Sequence, residues 1–159
     1  MRPAHLLILA VAGITTACAS TETPYQAASG AGKDGFTEYQ VENNRLHIGF
    51  AGNSSTELAT IKRYVLYRAS EVTLERGYDY FIIVGRELEA EREYRSAGFT
   101  RPRLGGVEFQ EVAEYTGVAD IAMYKGAKPE FLPNAFDARD VQAHLAADII
   151  RPQPRGGVG

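Results

Sequence analysis

The sequence predicts an α+β fold: a mixed or largely antiparallel sheet of about five strands, packed as one layer against two helices. Three observations carry this expectation. Residues 55–76 repeat apolar side chains at helical spacing, and a second helical pattern follows Asp137. Short runs with strand character, bounded by turn residues, lie before, between and after these patterns. The chain has 159 residues, 45% hydrophobic and 23% charged, which suits one domain, since domains run to about 100–200 residues.

Residues 1–17 read as a signal peptide. A short basic start at Arg2 precedes the apolar run Leu6-Leu7-Ile8-Leu9-Ala10-Val11-Ala12, and small residues follow. The run is too short for a stable transmembrane helix, which takes about 20 residues. Cys18 comes next and is the only cysteine in the chain, which excludes an internal disulfide framework and any multi-cysteine zinc site. Ile14-Thr15-Thr16-Ala17-Cys18 resembles a bacterial lipobox, with Thr15 standing where Leu is usual. The resemblance implies cleavage between Ala17 and Cys18 and lipidation of the Cys18 thiol and amino group. Ordinary secretion with cleavage after Ala19 is the other reading, because Ala17 and Ala19 satisfy the small-x-small rule. In lipoproteins of this kind Asp directly after the Cys marks inner-membrane retention. Ala19 in that place implies the outer membrane, with the body on the periplasmic face.

Residues 18–35 are expected to form the lipidated end and a flexible tether, being rich in Ser, Thr, Ala, Gly and Pro without apolar periodicity. Gly30-Ala31-Gly32-Lys33-Asp34-Gly35 matches G-x-G-x-x-G. No strand pattern precedes it and no helix pattern follows, so it does not read as a dinucleotide site.

Residues 36–150 form the expected domain. Residues 36–41 and 45–50 read as a hairpin around Glu42-Asn43-Asn44, with Leu46, Ile48 and Phe50 on one face. Ser54 and Glu57 form a capping-box pattern for the first helix. Its core stripe is Leu58, Ile61, Val65, Ala69 and Val72, with Tyr64 extending the stripe and Tyr67 at its edge; Gly77 is the expected stop. The continuous apolar run 80–84 reads as a central strand buried on both faces, giving a βαβ-like unit if it runs parallel to the hairpin's second strand. Residues 86–103 read as a long charged loop, with Glu87, Glu89, Glu91 and Glu93 interleaved with Arg86, Arg92 and Arg95. Residues 107–115 and 118–124 read as two strands around Thr116-Gly117. Pro129 and Pro133 interrupt the chain, and Asp137 caps a last helix that buries Ala138, Val141, Leu145 and Ile149. Residues 151–159, rich in Pro and Gly, read as a disordered tail.

The chemistry-bearing residues give no catalytic, cofactor or metal assignment. A net charge of −3 argues against a nucleic-acid partner. Beyond His5 of the signal, His47 and His144 lack the spacing of a metal site and read as surface or hydrogen-bonded imidazoles. Ser54 and Ser55 read as helix-capping residues, and no G-x-S-x-G elbow occurs. The alternating Glu run reads as a solvated, self-neutralising face; Arg68 reaches Glu71 along the helix. Tyr78, Tyr80, Tyr115 and Tyr124 read as packing aromatics.

Four stretches carry a family resemblance. They are Thr23-Pro24-Tyr25-Gln26, then Phe50-Ala51-Gly52-Asn53, then Arg68-Ala69-Ser70-Glu71-Val72-Thr73 with Gly77-Tyr78-Asp79-Tyr80-Phe81, and Asn134-Ala135-Phe136-Asp137-Ala138-Arg139-Asp140. In order and spacing the chain resembles an uncharacterised family of small proteobacterial lipoproteins, which usually have Ala where Ser70 stands. The resemblance implies a lipid-anchored envelope protein and carries over no activity. The expected role is a non-enzymatic binding or structural module, joined to the membrane through lipid on Cys18, with another envelope protein or the cell wall as partner. The alternative is a periplasmic hydrolase with a diffuse site.

Overall fold

The computed structural model describes residues 21–84, 89–100 and 107–152, with side chains described outside 89–100 and 107–113. The signal peptide, Ala17 and Cys18 therefore lie outside the described residues, as do Arg86, Glu87 and residues 153–159 of the expected tail.

The fold is α+β, as the sequence predicts. Six strands form one sheet: β1 (Gly35–Glu42), β2 (Arg45–Ala51), β3 (Tyr80–Ile83), β4 (Glu89–Thr100), β5 (Val107–Tyr124) and β6 (Ala135–Asp137). Five follow the order β1-β2-β5-β3-β6, and β4 also pairs with β5. Every strand pair is antiparallel. Helices α1 (Leu58–Glu75) and α2 (Ala138–Leu145) pack on each other and on the sheet.

The hairpin forms as expected, and its alternation sets the core. Leu46, Ile48 and Phe50 of β2 are fully buried, beside Ala119, Ile121 and Met123 of β5 and Phe81 and Ile83 of β3. Against them lies the α1 stripe: Ile61, Tyr64, Val65, Ala69 and Val72 are each 0–1% exposed, with Tyr67 at its edge. Leu58 is half-buried. Gly77 ends the helix at φ +74°. The Tyr78 amide donates to the Thr73 carbonyl and the Gly77 amide to Leu74, each at 2.9 Å. This satisfies carbonyls a helix end would otherwise leave open.

The start of α1 departs from expectation. Glu57 makes no side-chain cap, so the Ser54/Glu57 box does not form. Asn53 organises the turn instead: its Oδ1 accepts from the Ser55 amide at 3.0 Å and from the Thr56 hydroxyl at 2.8 Å. An Asx turn of this kind competes directly with a Ser cap.

β3 is buried on one face only, since Tyr80 and Ile82 are half-exposed. It runs parallel to β2, but β5 lies between them and is antiparallel to both. The βαβ-like unit is thus split. The expected charged loop is a strand over Glu89–Thr100, in register with β5 from Glu89↔Val118 to Thr100↔Val107. The two strands expected over 107–124 are one, continuous through Thr116-Gly117. Gly117 is buried there between Phe50 on one side and Ala90 on the other, a place where a small residue eases close neighbours. β6 pairs with β3 as an edge strand just after Pro133. Asp137 caps α2 as expected, accepting from the Arg139 amide at 2.9 Å and the Asp140 amide at 3.1 Å. Ala138 is buried, and Val141, Leu145 and Ile149 pack partly against the core.

Part of the expected tether is packed, and the expected tail is described only at Arg151 and Pro152. Thr23 and Tyr25 of the N-terminal segment are buried against the body, 2% and 4% exposed. Ala27 bridges Phe36 in parallel, and Asp34 Oδ2 accepts from the Thr23 hydroxyl at 3.4 Å. At the other end Arg151 holds fixed side-chain contacts. No helix of the described residues is long and apolar enough to cross a membrane.

Candidate functional site

The densest polar constellation is a clasp where the two ends of the domain meet on α1. Arg68 is at its centre, with a side chain 12% exposed. Its Nε donates to Glu38 of β1 at 2.9 Å, and its Nη1 donates to Glu71 and Glu75 at 3.1 Å each. The guanidinium lies 4.8 Å from the centre of the Phe36 ring. Burial works against this charge; the bonds and charge of Glu38, with Glu71 and Glu75, outweigh it and hold Arg68 above its usual range. A forked, planar cation suits three carboxylates and an aromatic face at once.

Glu71 joins the ends. Its Oε2 accepts from the Tyr25 hydroxyl, and its Oε1 from Arg151 Nη2 at 3.4 Å. Burial pushes the Tyr25 phenol above the usual tyrosine range, and the bond to Glu71 and its charge push it further. The ring is enclosed by Phe36, Tyr64 and Tyr67, with centroids 5.2, 5.4 and 5.3 Å away. Arg151 lies 5.7 Å from the Tyr25 ring centre, and the Tyr25 amide donates to the Ile150 carbonyl at 2.7 Å. Upstream, the Thr23 amide donates to Thr56 Oγ1 at 2.9 Å, the Asn53 amide to Thr23 Oγ1 at 2.8 Å, and Asn53 Nδ2 to the Thr21 carbonyl at 2.9 Å.

The four stretches singled out in the sequence interlock in two groups. Tyr25, Asn53, Arg68 and Glu71 build the clasp. Just past the C-terminal end of α1, Arg139 donates to Asp79 at 3.0 Å, and the Phe81 and Phe136 rings stack at 5.3 Å. Their residues are occupied by one another, an arrangement that fixes parts of a fold in place.

His47 and His144 are not brought together. His47 faces away from the helices, with Nδ1 2.9 Å from Asp120 Oδ1 and its ring stacked on Tyr39 at 4.6 Å. The three residues lie side by side on β1, β2 and β5. Such a pair can orient an imidazole, as the first half of a base-orienting system does. His144 Nδ1 lies 2.7 Å from the Asp140 carbonyl one turn back in α2. Ser54 is exposed at the α1 entrance, and the Ser55 amide is held by Asn53. Glu89, Glu91 and Glu93 share one face of β4 by register. Tyr80 and Tyr124 stack at 5.3 Å, and Tyr78 and Tyr115 are half-buried. Among the described residues no group of three or more His, Cys, Asp or Glu could hold a metal ion, and no buried side-chain polar atom lacks a partner. An open, mostly apolar groove of about 330 Å³ lies between Leu66, Phe136, Val141 and Leu145, with Asp140 and His144 at its rim.

Tyr25, Glu38 and Arg151 of the clasp are residues that sequence reasoning missed. The available signal was a lone aromatic in a segment otherwise made of small and polar residues. No family model, curated protein or solved structure matches the chain.

Proposed function

We propose that this chain is a lipid-anchored protein of the cell envelope, acylated at Cys18, whose body serves as a binding or structural module on the periplasmic face of the outer membrane. The sequence around Cys18 supports the anchor, and the clasp supports a structural role for the segment that follows it. A segment that only spaced the body from the lipid would need no fixed contacts. Here the stretch just after Cys18 is bonded to the α1 entrance through Thr21 and Thr23 and to α1 itself through Tyr25. The contacts with the body begin at Thr21. Three chain steps, from Cys18 to Thr21, span at most about 11 Å. The body is then held close to the membrane surface, facing a partner among envelope proteins or the cell wall. Ala19 after the Cys supports the outer membrane.

Labelling cells with radioactive palmitate tests the anchor. The wild-type protein is expected to carry label and sediment with outer membranes, and Cys18→Ser to lose both. Label that persists in Cys18→Ser overturns the proposal.

The hydrolase reading rests on one observation, the oriented His47–Asp120 pair. Its neighbours on that face by register are Thr37, Tyr39, Arg45, Gly49, Val118 and Ala122, with no Ser or Cys among them. Turnover of ester, peptide or glycan substrates by purified protein, abolished by His47→Ala, would establish that reading in place of the module.

A further inference from the structure

We infer that this chain forms a symmetric dimer in which Phe131 of each copy fills the apolar groove beside α2 of the other. Such a contact is independent of lipid at Cys18. Phe131 is 82% exposed, the most exposed large hydrophobic side chain among the described residues. Single exposed apolar side chains are ordinary on a protein surface, but Phe131 is held in an unusual way. It lies at the tip of the first of two successive turns. The Leu132 amide donates to the Pro129 carbonyl at 3.4 Å, and the Ala135 amide to the Leu132 carbonyl at 3.1 Å. Asn134 Nδ2 donates to the Ile83 carbonyl at 2.9 Å and ties the base of the turns to β3. Pro129 and Pro133 restrict the backbone further. The ring stands on a braced loop, with little conformational freedom left to lose on burial.

The same edge of the molecule carries a recess of matching chemistry. β6 is the last strand on its side of the sheet, and residues 125–134 lead directly into it. The groove of about 330 Å³ opens between β6 and α2. Leu66, Phe136, Val141 and Leu145 line it, and each packs on the core while remaining only half-buried. A cavity of about 150 Å³ holds a benzene ring, so the groove admits one phenyl ring with room at its mouth. Phe131 leaves the groove of its own chain open, since its side chain is exposed.

Charge and symmetry select a second copy as the occupant. Lys128 lines the groove on its loop wall, opposite Asp140 and His144 on the α2 wall, and Glu130 precedes Phe131 at the tip of the turn. Among the described residues neither Lys128 nor Glu130 has an ion-pair partner. When Phe131 of one copy enters the groove of the other, Glu130 comes to the rim that bears Lys128. A two-fold axis repeats the contact, with Lys128 of each copy facing Glu130 of the other, as an isologous interface requires. One chain therefore supplies the knob with a negative charge beside it and the hole with a positive charge beside it. A single ring and groove per side make a contact smaller than the standard of about 800 Å² per partner, so the dimer is weak and depends on concentration.

Sedimentation equilibrium of the chain from Cys18 to Gly159, made without the signal peptide and kept in reductant, measures association free of lipid and of a Cys18 disulfide. From about 1 μM to 1 mM the wild type is expected to pass from monomer toward dimer. Phe131→Ala removes the ring from both sides of the interface and is expected to weaken the dimer about a hundredfold. Lys128→Glu or Glu130→Lys alone sets like charges together and is expected to weaken it about tenfold, and the double reversal is expected to restore it. Circular dichroism matching the wild type confirms the fold of each variant. In the full chain expressed in cells, photoreactive benzoylphenylalanine in place of Phe131 is expected to yield a crosslinked dimer whose joined peptide contains Val141 or Leu145. A monomer throughout the concentration range overturns the inference. A dimer that Phe131→Ala leaves unchanged also overturns it, by placing the contact elsewhere. Charge reversals that fail to rescue each other overturn the symmetric seating. Crosslinks to another protein alone assign the groove to that protein and overturn the dimer.

Discussion

The hydroxyl of Tyr25 donates to the carboxylate of Glu71, joining residues 46 positions apart. The same carboxylate receives Arg68 and Arg151, so one side chain ties the N-terminal segment, the long helix and the C-terminal end. Hydrogen bonds to charged groups contribute about 1.5–3 kcal/mol. Tyr25→Phe keeps the ring among Phe36, Tyr64 and Tyr67 and removes only this bond, and is expected to lose an amount in that range in urea unfolding. Tyr25→Ala also empties the aromatic enclosure and is expected to cost about 3–5 kcal/mol, as large-to-small changes of buried aromatics do. It should also expose residues 21–28 to limited proteolysis. Resistance equal to wild type would mean the segment is held without Tyr25.

Val65 is fully buried in the middle of the α1 stripe. Val65→Asp places a carboxylate there without a partner, at a cost of several kcal/mol against a typical total of about 5–15 kcal/mol. Thermal melts should show a folded state lost or strongly weakened. Lys62→Asp on the exposed side of the same helix is the control and should change the melting temperature little.

These two residues mark the limit of what was legible in the chain. Val65 belongs to a local repeat, and local repeats with caps predicted α1, α2 and the β1–β2 hairpin. Tyr25 sits in a segment without periodicity, and its burial comes from contacts with Tyr64 and Ile150 far along the chain. No local pattern encodes such contacts. The misreading of β4 has another cause. Glu89, Glu91 and Glu93 alternate with period two, which is itself a strand signal, but their charge suggested a solvated loop. A ribbon outside the core need not alternate between apolar and polar residues. Thr116-Gly117 resembled a turn, yet pairing on both sides carries the strand through it. The clasp was half legible: Arg68 and Glu71 are neighbours on one helix face, whereas Glu38 and Arg151 are brought in by tertiary structure.

Gly52 lies where β2 turns toward α1. A Cβ there would come within 2.7 Å of Thr56 Cβ and 2.8 Å of Ile61 Cδ1. Both neighbours are buried, so neither can move into solvent. Overpacking of this kind costs about 1–3 kcal/mol, and Gly52→Ala should show it in chemical denaturation. Ile61→Val removes the Cδ1 atom, and the double variant should lose less than the sum of the two single losses. Simple additivity would place the strain elsewhere, at Thr56 or in the backbone.

Asp79 gives the fold a dependence on acid. Its Oδ2 accepts from the Gly126 amide at 2.8 Å and its Oδ1 from Arg139 at 3.0 Å, while its carbonyl accepts from the Ala138 amide at 3.1 Å. The residue therefore joins the loop after β5 to the first turn of α2. The Gly126 amide, then Arg139, hold its carboxyl below the usual carboxylate value. An unfolded Asp titrates near about 3.9. Because the native value is the lower one, the unfolded chain binds the proton first on acidification. The stability Asp79 contributes is present in full above about pH 4 and is lost as pH falls through the lowered native value. Asp79→Asn keeps an acceptor for the loop and removes the charge. It is expected to melt below wild type at pH 7, with the gap closing as the solution is acidified through the carboxylate range. Other carboxylates act equally in both proteins and cancel in that difference. A gap that stays constant with pH would assign the loss to the shape of the Asn side chain, not to the charge at Asp79.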